Sequence, residues 1–215
     1  MKDTEGLLEN RIIKEYIFNN HTIKLEQVAN VEKLVDEIAD DEFNEDERLP
    51  YWAEVWPSAQ ALSGYILNNQ LDFNNKKVLE LGCGIGLVGI AAAHANANVT
   101  FSDYEKEAVQ FTKHNYFLNF QEQANTVILD WREPNLNKKF EIIIAADILY
   151  EKRFIKPVYN TIQKLLAENG KLYIAEPDRT IAKPFFDLMK DGFELVEKKT
   201  ISNIKSVTLY KFKKC

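Results

Sequence analysis

Cysteine is scarce in this sequence: two cysteines are present among 215 residues, and one of them, Cys215, is the last residue. Two cysteines in such positions build no disulfide framework and are typical of a protein from a reducing compartment. Long apolar runs are missing too, since the longest fall far short of the about 20 residues that a membrane-spanning helix needs. The N-terminus also lacks the apolar stretch of a signal peptide. These shortages predict a cytoplasmic protein without a membrane partner.

Positive charge is also in short supply. Lysine and arginine number 27 and aspartate and glutamate 33, so the net charge is −6. Nucleic-acid binding depends on cations that neutralise phosphates, so we expect no nucleic-acid partner. His21, His94 and His114 do not share a metal-ligand spacing, and Cys83 has no second cysteine near it in the sequence. We therefore predict no metal site.

What the sequence does contain is an alternation of strand-like and helix-like segments from Lys76 onward. Strands are predicted over 78–82, 98–103, 126–130, 141–147 and 171–177, and helices over 87–95, 105–118, 154–166 and 181–190. The segment over 141–147 is apolar nearly throughout, as expected for a strand covered on both faces. Such an alternation is typical of a parallel sheet with helices on both sides.

The end of the chain breaks this alternation. Two extended runs, FELVEKKTI and SVTLYKF, are separated only by SNIK. Parallel strands need a crossover of about a dozen residues or more, so these two must form an antiparallel hairpin. The predicted fold class is therefore α/β, a doubly wound Rossmann-like sheet of seven strands with an antiparallel C-terminal hairpin.

The first part of the chain has a different character. We predict an N-terminal extension over 1–48, followed by one α/β domain over 49–215. The extension should contain a hairpin that turns at Asn19-Asn20, a helix over 31–39 and an acidic loop over 40–47. That loop is either a solvated connection or a negatively charged rim that attracts a basic substrate.

A glycine-rich turn, Glu80-Leu81-Gly82-Cys83-Gly84-Ile85-Gly86, lies between the first predicted strand of the domain and its helix. Glycines let the chain turn tightly and bring its backbone close to a ligand. The same stretch contains Gly84-x-Gly86-x-x-Gly89, so spacing alone does not separate S-adenosylmethionine from NAD. Glu80 favours the former, because a carboxylate there disfavours a pyrophosphate and suits a ligand with an ammonium and a sulfonium group.

Two further acidic positions follow the next strands. Asp103 ends the second strand of the domain, where a carboxylate can accept hydrogen bonds from both ribose hydroxyls of either ligand. Asp130 and Trp131 follow the third strand, where the carboxylate could accept from an adenine amino group and the indole could cover the ring. The alternatives are a helix cap or loop residue for Asp130 and a packing residue for Trp131.

Taken together, these motifs resemble those of the seven-β-strand (class I) protein-lysine methyltransferases. The resemblance rests on Glu80–Gly86, Asp103, Asp130-Trp131 and Asp147-Ile148-Leu149-Tyr150, and the terminal hairpin matches in general character. The segments Pro50–Ser63, which holds Trp56, and Glu176–Arg179 resemble the group that acts on the electron-transfer flavoprotein β subunit. The turn Gly-Cys-Gly-Ile-Gly has the common methyltransferase form and departs from the variant associated with that group.

The resemblance implies S-adenosyl-L-methionine as the cofactor and a class I methyltransferase domain over 49–215. It also implies that Asp147 orients the target amine and can receive its proton, that Tyr150 lines the acceptor channel, and that Trp56 flanks the cofactor. Each residue has a structural alternative: a helix cap for Asp147, core packing for Tyr150, and attachment of the N-terminal helix to the sheet for Trp56.

The function that follows is methyl transfer to the ε-amine of a protein lysine, with the electron-transfer flavoprotein β subunit as one candidate substrate. Three other functions stay open at this point. They are N-methylation of a small amine or metabolite, S-adenosylmethionine binding without catalysis, and, with least support, NAD-dependent oxidation.

Overall fold

The computed structural model describes residues 10–39, 50–201 and 206–215. The chain begins there with strands β1 (Arg11–Phe18) and β2 (His21–Val28), followed by helix α1 (Val31–Ala39). The two strands pair antiparallel around a turn in which Asn19 has φ 50°. The predicted hairpin and helix are thus confirmed, whereas the predicted acidic loop over 40–47 lies outside the described residues.

Seven further strands form one sheet. They are β3 (Lys77–Leu81), β4 (Asn98–Asp103), β5 (Asn125–Ile128), β6 (Phe140–Ala146), β7 (Leu166–Glu176), β8 (Phe193–Ile201) and β9 (Val207–Lys214). Their order is β5-β4-β3-β6-β7-β9-β8, and β9 runs antiparallel to both of its neighbours. The predicted fold class is therefore confirmed, including the terminal hairpin.

Within the described residues, six further α-helices follow in chain order. They are α2 (Pro57–Asn68), α3 (Gln70–Phe73), α4 (Leu87–His94), α5 (Lys106–Phe120), α6 (Ile155–Leu165) and α7 (Lys183–Met189). None of the helices in the described parts of the chain is long and apolar enough to cross a membrane.

Two apolar cores cover the two faces of the sheet, because alternate residues of a strand point to opposite sides. Val78 and Ile142 face α2, α4, α5 and the hairpin, whereas Leu79 and Ile143 face α6 and α7. The strand order reverses at β3, with β4 on one side and β6 on the other. In such sheets the crevice beyond the carboxyl ends of the strands at the reversal point receives ligands.

Helix α2 was not predicted from the sequence. Its buried residues include two serines, Ser58 and Ser63, among alanine, leucine and isoleucine. Polar residues on the buried side hide the apolar periodicity by which a helix is recognised. Strand β7 also starts earlier than predicted, at Leu166 instead of Lys171, because Leu166 pairs with Phe140 before an irregularity in the ladder.

The hairpin is attached to the main domain through α5. Two asparagines, one helical turn apart, face the backbone of β2: Asn115 pairs with Glu26, and Asn119 pairs with Lys24. Each amide accepts from the backbone N–H and donates to the backbone carbonyl of its partner, as a neighbouring strand would. The domain boundary at residue 48 stays a prediction, since residues 40–49 are not described.

Candidate active site

A pocket lies beyond the carboxyl ends of β3, β4 and β6. All ten residues that the sequence singled out line it: Trp56, Glu80, Gly82, Gly84, Gly86, Asp103, Asp130, Trp131, Asp147 and Tyr150. The structure thus brings together residues that are up to 94 positions apart in the chain, from Trp56 to Tyr150. The role of each residue stays a prediction.

The glycine turn has a backbone that other residues adopt with difficulty. Gly82, Gly84 and Gly86 have φ of 64°, 51° and 94°. A Cβ on Gly82 would lie 2.9 Å from Cγ2 of Ile148, and one on Gly84 would lie 2.9 Å from the carbonyl oxygen of Trp52. Only a hydrogen fits at these two positions, so the turn can present bare backbone to a ligand.

Helix α5 holds the carbonyl groups of this turn. Thr112 Oγ1 donates to the Gly84 carbonyl at 2.9 Å, and Asn115 Nδ2 donates to the Ile85 carbonyl at 2.9 Å. Both side chains are fully buried. Sequence reasoning missed them, although two polar residues three positions apart on the inner side of a helix are a signal of such a role.

Glu80 is 2 % exposed. Its Oε2 accepts a hydrogen bond from the amide of Gly89 at 3.0 Å, which ties the end of β3 to helix α4. Burial raises the pKa of this carboxyl well above its ordinary value, against the opposing effect of the Gly89 hydrogen bond. Glu80 therefore supports the glycine turn through its contact with Gly89, and its carboxyl group lines the pocket.

Asp103 lies at the end of β4, close to the turn. Its Oδ2 accepts from the Gly84 amide at 2.9 Å and its Oδ1 from the Glu105 amide at 3.0 Å. Burial raises the pKa of Asp103, and these backbone hydrogen bonds oppose that effect. Because a carboxylate oxygen has two acceptor positions, Asp103 can still accept from two hydroxyl groups of a ligand.

Asp130 and Trp131 follow β5 and line the same pocket. Asp130 forms an ion pair with Arg132 at 2.8 Å. The indole of Trp131 lies against Gly82 and packs edge-on against the ring of Phe154, with centroids 5.8 Å apart. Its buried Nε1 has no hydrogen-bond partner within the described part of the chain. An apolar ring of a ligand fits beside this indole.

Asp147 follows β6 with a positive φ of 60° and is 8 % exposed. Its Oδ2 accepts from Ser58 Oγ at 2.8 Å, and its Oδ1 pairs with Arg179 Nη1 at 2.5 Å. The short helix over Lys152–Phe154 receives no side-chain cap. Asp147 is therefore not a cap of that helix, and its carboxylate is fixed by partners from α2 and from the loop after β7.

Arg179 has a second carboxylate partner, Glu176 Oε1, at 3.1 Å. Burial acts to lower the pKa of Arg179, but the ion pairs with Asp147 and Glu176 outweigh it and raise the value. Glu176 is fully buried, and burial raises its pKa to about 7 even though Arg179 acts in the opposite direction. Sequence reasoning gave neither residue a role.

Three aromatic residues line the pocket beside Asp147. The ring of Tyr51 meets that of Tyr150 edge-on at 5.3 Å and that of Trp56 at 6.1 Å. Trp56 Nε1 donates to the Tyr51 carbonyl at 3.0 Å, which fixes the indole at the start of α2. Burial raises the pKa of Tyr150, and the nearby carboxylates of Glu151 and Asp103 add to this effect. Its phenol therefore stays neutral at physiological pH.

The charge of the pocket indicates the kind of ligand it takes. Carboxylates line it from several elements: Glu54, Glu80, Asp103, Glu105, Asp130, Asp147 and Glu151. Its two arginines, Arg132 and Arg153, each pair with an acidic residue two positions away. Such a lining favours a ligand that carries positive charge and disfavours a diphosphate.

Comparisons with known proteins find methyltransferases among the relatives of this chain. The histidine protein methyltransferase 1 homolog of Dictyostelium discoideum is 35% identical over 128 residues, which cover 57% of this chain and 41% of that protein. The electron transfer flavoprotein beta subunit lysine methyltransferase of Danio rerio is 32% identical over 136 residues, covering 60% and 51%. This chain thus spans about half the length of these curated relatives.

Solved structures give the same fold. The N-methyltransferase NodS from Bradyrhizobium japonicum WM9, in complex with S-adenosyl-L-homocysteine, superposes with a TM-score of 0.61 at 17% identity. The match covers 82% of this chain and 96% of NodS. Residues 39–192 of this chain match the model of a protein family that is described as lysine methyltransferase. The chain is therefore a member of the lysine methyltransferase family.

Proposed function

We propose that this protein transfers the methyl group of S-adenosyl-L-methionine to the ε-amine of a lysine in a protein substrate. The observation that carries the proposal is the placement of Asp147 and an aromatic group, Tyr51, Trp56 and Tyr150, in the same pocket as the glycine turn. This arrangement offers a cofactor position and an amine position side by side, in a chain that belongs to the lysine methyltransferase family.

The residues around the turn fit the cofactor. The cradle between Gly82 and Gly84 has no room for a Cβ and leaves backbone groups accessible. Asp103 would accept from the ribose hydroxyls, Asp130 and Trp131 would lie at the adenine, and Glu80 ties the end of β3 to helix α4 through the Gly89 amide. When bound, S-adenosyl-L-methionine supplies an electrophilic methyl group on a positively charged sulfur.

The residues beside the turn suit an amine. Methyl transfer needs the nucleophile in line with the methyl carbon and shielded from water. The carboxylate of Asp147 would accept a hydrogen bond from the amine and orient it. The faces of Tyr51, Trp56 and Tyr150 attract an alkylammonium by cation–π interaction, worth about 0.5–2 kcal/mol.

The acceptor is the least constrained part of the proposal. The relative with the highest identity quoted above is named as a histidine methyltransferase, and another is named for a flavoprotein lysine. We favour lysine because the family bears that description and because the acidic pocket suits a side chain that arrives as a cation. The electron-transfer flavoprotein β subunit is one candidate substrate, and the cytoplasm is the proposed location, to be checked by cell fractionation.

The experiment is incubation of the protein with tritiated S-adenosyl-L-methionine and an extract of the source organism, resolved on a gel. Labelling of a protein band supports the proposal, and its mass nominates the substrate. Label found only in small molecules would favour N-methylation of a metabolite. Absence of transfer by a protein that binds the cofactor, measured by calorimetry, would favour a binding module without catalysis.

A further inference from the structure

The loop that follows β7 reaches into the site through Arg179. This residue lies 32 positions after Asp147 in the chain, yet its Nη1 contacts Oδ1 of that carboxylate at 2.5 Å. The other carboxylate oxygen accepts from Ser58, which is itself fully buried at the start of α2. Asp147 is thus held by two elements that are far apart in the chain, the start of α2 and the loop after β7.

The loop itself is anchored on the sheet. Asp178 has φ 57°, and its carboxylate accepts hydrogen bonds from Thr208 and Tyr210 on β9. Glu176, immediately before the loop, holds the same guanidinium atom that binds Asp147. Because Asp178 is fixed on β9 and Glu176 binds the guanidinium, the side chain of Arg179 is held in its direction toward Asp147.

The ion pair has a consequence for the amine that Asp147 would orient. A free lysine has a pKa of about 10.4, and only its neutral form attacks a methyl group. A carboxylate without a counter-charge would favour the ammonium form and raise that pKa further. A guanidinium bound to the same carboxylate offsets this effect and leaves the carboxylate as a hydrogen-bond acceptor.

We propose that Arg179 is a positioning residue for methyl transfer. It fixes the Asp147 carboxylate and offsets its negative charge, so that the bound amine loses its proton more readily. This inference rests on the proposed function. Arg179 does not touch the substrate itself; it acts through Asp147. Ser58 completes the arrangement by fixing the second oxygen.

Other charged and titratable groups surround the same point and set the baseline for any pH effect. In the described residues the acidic groups are Glu54, Glu80, Asp103, Glu105, Asp130, Glu151, Glu176 and Asp178, the phenols are Tyr51 and Tyr150, and the other cations are Arg132 and Arg153. Most of them are acidic, so Arg179 is the cation in direct contact with Asp147.

The test compares Arg179→Met, Arg179→Lys and Glu176→Gln with wild type in initial rates of tritium transfer to extract proteins between pH 6 and 10. The matched control is Lys190→Met, which removes a cation from an exposed pair with Asp187. Cofactor affinity is measured by calorimetry for each variant, which also shows that each is folded. Arg179→Lys keeps a charge but cannot bridge two carboxylates in the same way.

We expect Arg179→Met to lower the rate at pH 8 at least tenfold, with cofactor affinity within threefold of wild type. On the acid side of the profile, where the rate rises with pH, the curve should move to higher pH by about 0.5–1 unit. This is the size expected from the loss of one positive charge near the amine. Arg179→Lys should recover part of the rate. Glu176→Gln should move the profile to lower pH, because it removes the carboxylate that shares Arg179 with Asp147. If Arg179→Met fails to fold, the rates and profiles of the other two variants decide.

Two outcomes would overturn the inference. One is an unmoved profile in Arg179→Met with a rate within twofold of wild type. The other is an equal loss of rate in all three variants without movement of any profile, which a merely structural role would give. An inactive wild type would contradict the proposed function and this inference with it, whereas an active wild type with either outcome contradicts this inference alone.

Discussion

Asn115 donates a hydrogen bond from Nδ2 to the carbonyl oxygen of Ile85, 2.9 Å away in the glycine turn. The same side chain accepts from and donates to the backbone of Glu26 on the N-terminal hairpin. One buried amide therefore connects the hairpin, helix α5 and the turn that forms the proposed cofactor site. The hairpin is thus part of the support of the site.

This connection predicts a paired effect of Asn115→Ala. Loss of the amide leaves three backbone groups without their partner, so we expect the free energy of unfolding to fall by about 2–3 kcal/mol. Affinity for S-adenosyl-L-methionine should fall as well, because the carbonyl of Ile85 is no longer held. Asn119→Ala is the matched control: it loses contacts with Lys24 on the surface but none with the turn. Equal cofactor affinity in both variants would contradict the role of Asn115.

Alanine substitutions at a glycine of the turn and at a glycine of helix α2 should have opposite effects. Gly84→Ala requires a positive φ and brings a Cβ within 2.9 Å of the Trp52 carbonyl, so it should lose about 1–3 kcal/mol of stability and at least tenfold in cofactor affinity. Gly64→Ala lies in α2 with its Cβ 3.5 Å from Phe18, an ordinary contact. It should gain about 0.5–1 kcal/mol and leave affinity unchanged. Chemical denaturation and calorimetry measure both effects.

Much of the architecture could be predicted because its signals are local. The turn residues Asn19-Asn20, the spacing of the glycines around Gly84 and the short separation of the last two strands each restrict the backbone within a few residues. The carboxyl ends of adjacent parallel strands meet at one edge, which is why Asp103 could be placed beside the glycine turn before the fold was known. Asp147 was placed in the site by its resemblance to the family.

The partners of the site residues could not be predicted in this way. Ser58 and Asp147 are 89 positions apart, and their hydrogen bond depends on how α2 packs against the sheet. Arg179 appeared in the sequence only as part of a resembling stretch, with nothing local to show that it turns toward Asp147. Such contacts are set by tertiary packing, which periodicity and turn propensities do not encode.

Buried Glu176 predicts a pH dependence of stability. Its pKa in the folded protein is raised to about 7 from an ordinary value of 4.5, so the folded state binds its proton more tightly than the unfolded state does. Its contribution is therefore most favourable below about pH 4.5 and is lost as the pH rises toward 7. The difference in the free energy of unfolding between Glu176→Gln and wild type should therefore change by about 2–3 kcal/mol in favour of the variant as the pH rises from 5 to 8. A constant difference across that range, in denaturation curves, would contradict this.

Asp147 predicts a separation of turnover from cofactor binding. Asp147→Asn keeps the shape of the side chain but removes the charge that pairs with Arg179 and would orient the amine. We expect at least a hundredfold loss of methyl transfer, about 2.7 kcal/mol of transition-state stabilisation, with cofactor affinity within threefold. Asp187→Asn on the surface of α7 is the control and should retain full activity. Undiminished turnover in Asp147→Asn would remove Asp147 from the mechanism.

The central claim, that the acceptor is a protein lysine, is tested most directly by the chemical identity of the methylated residue. A protein band labelled by the wild-type enzyme and tritiated S-adenosyl-L-methionine is hydrolysed to amino acids, and the radioactive product is identified by chromatography, with Asp147→Asn run in parallel. The account predicts methyllysine in the wild-type reaction and no label with the variant. Methylhistidine in the hydrolysate, or label confined to small molecules, would contradict it.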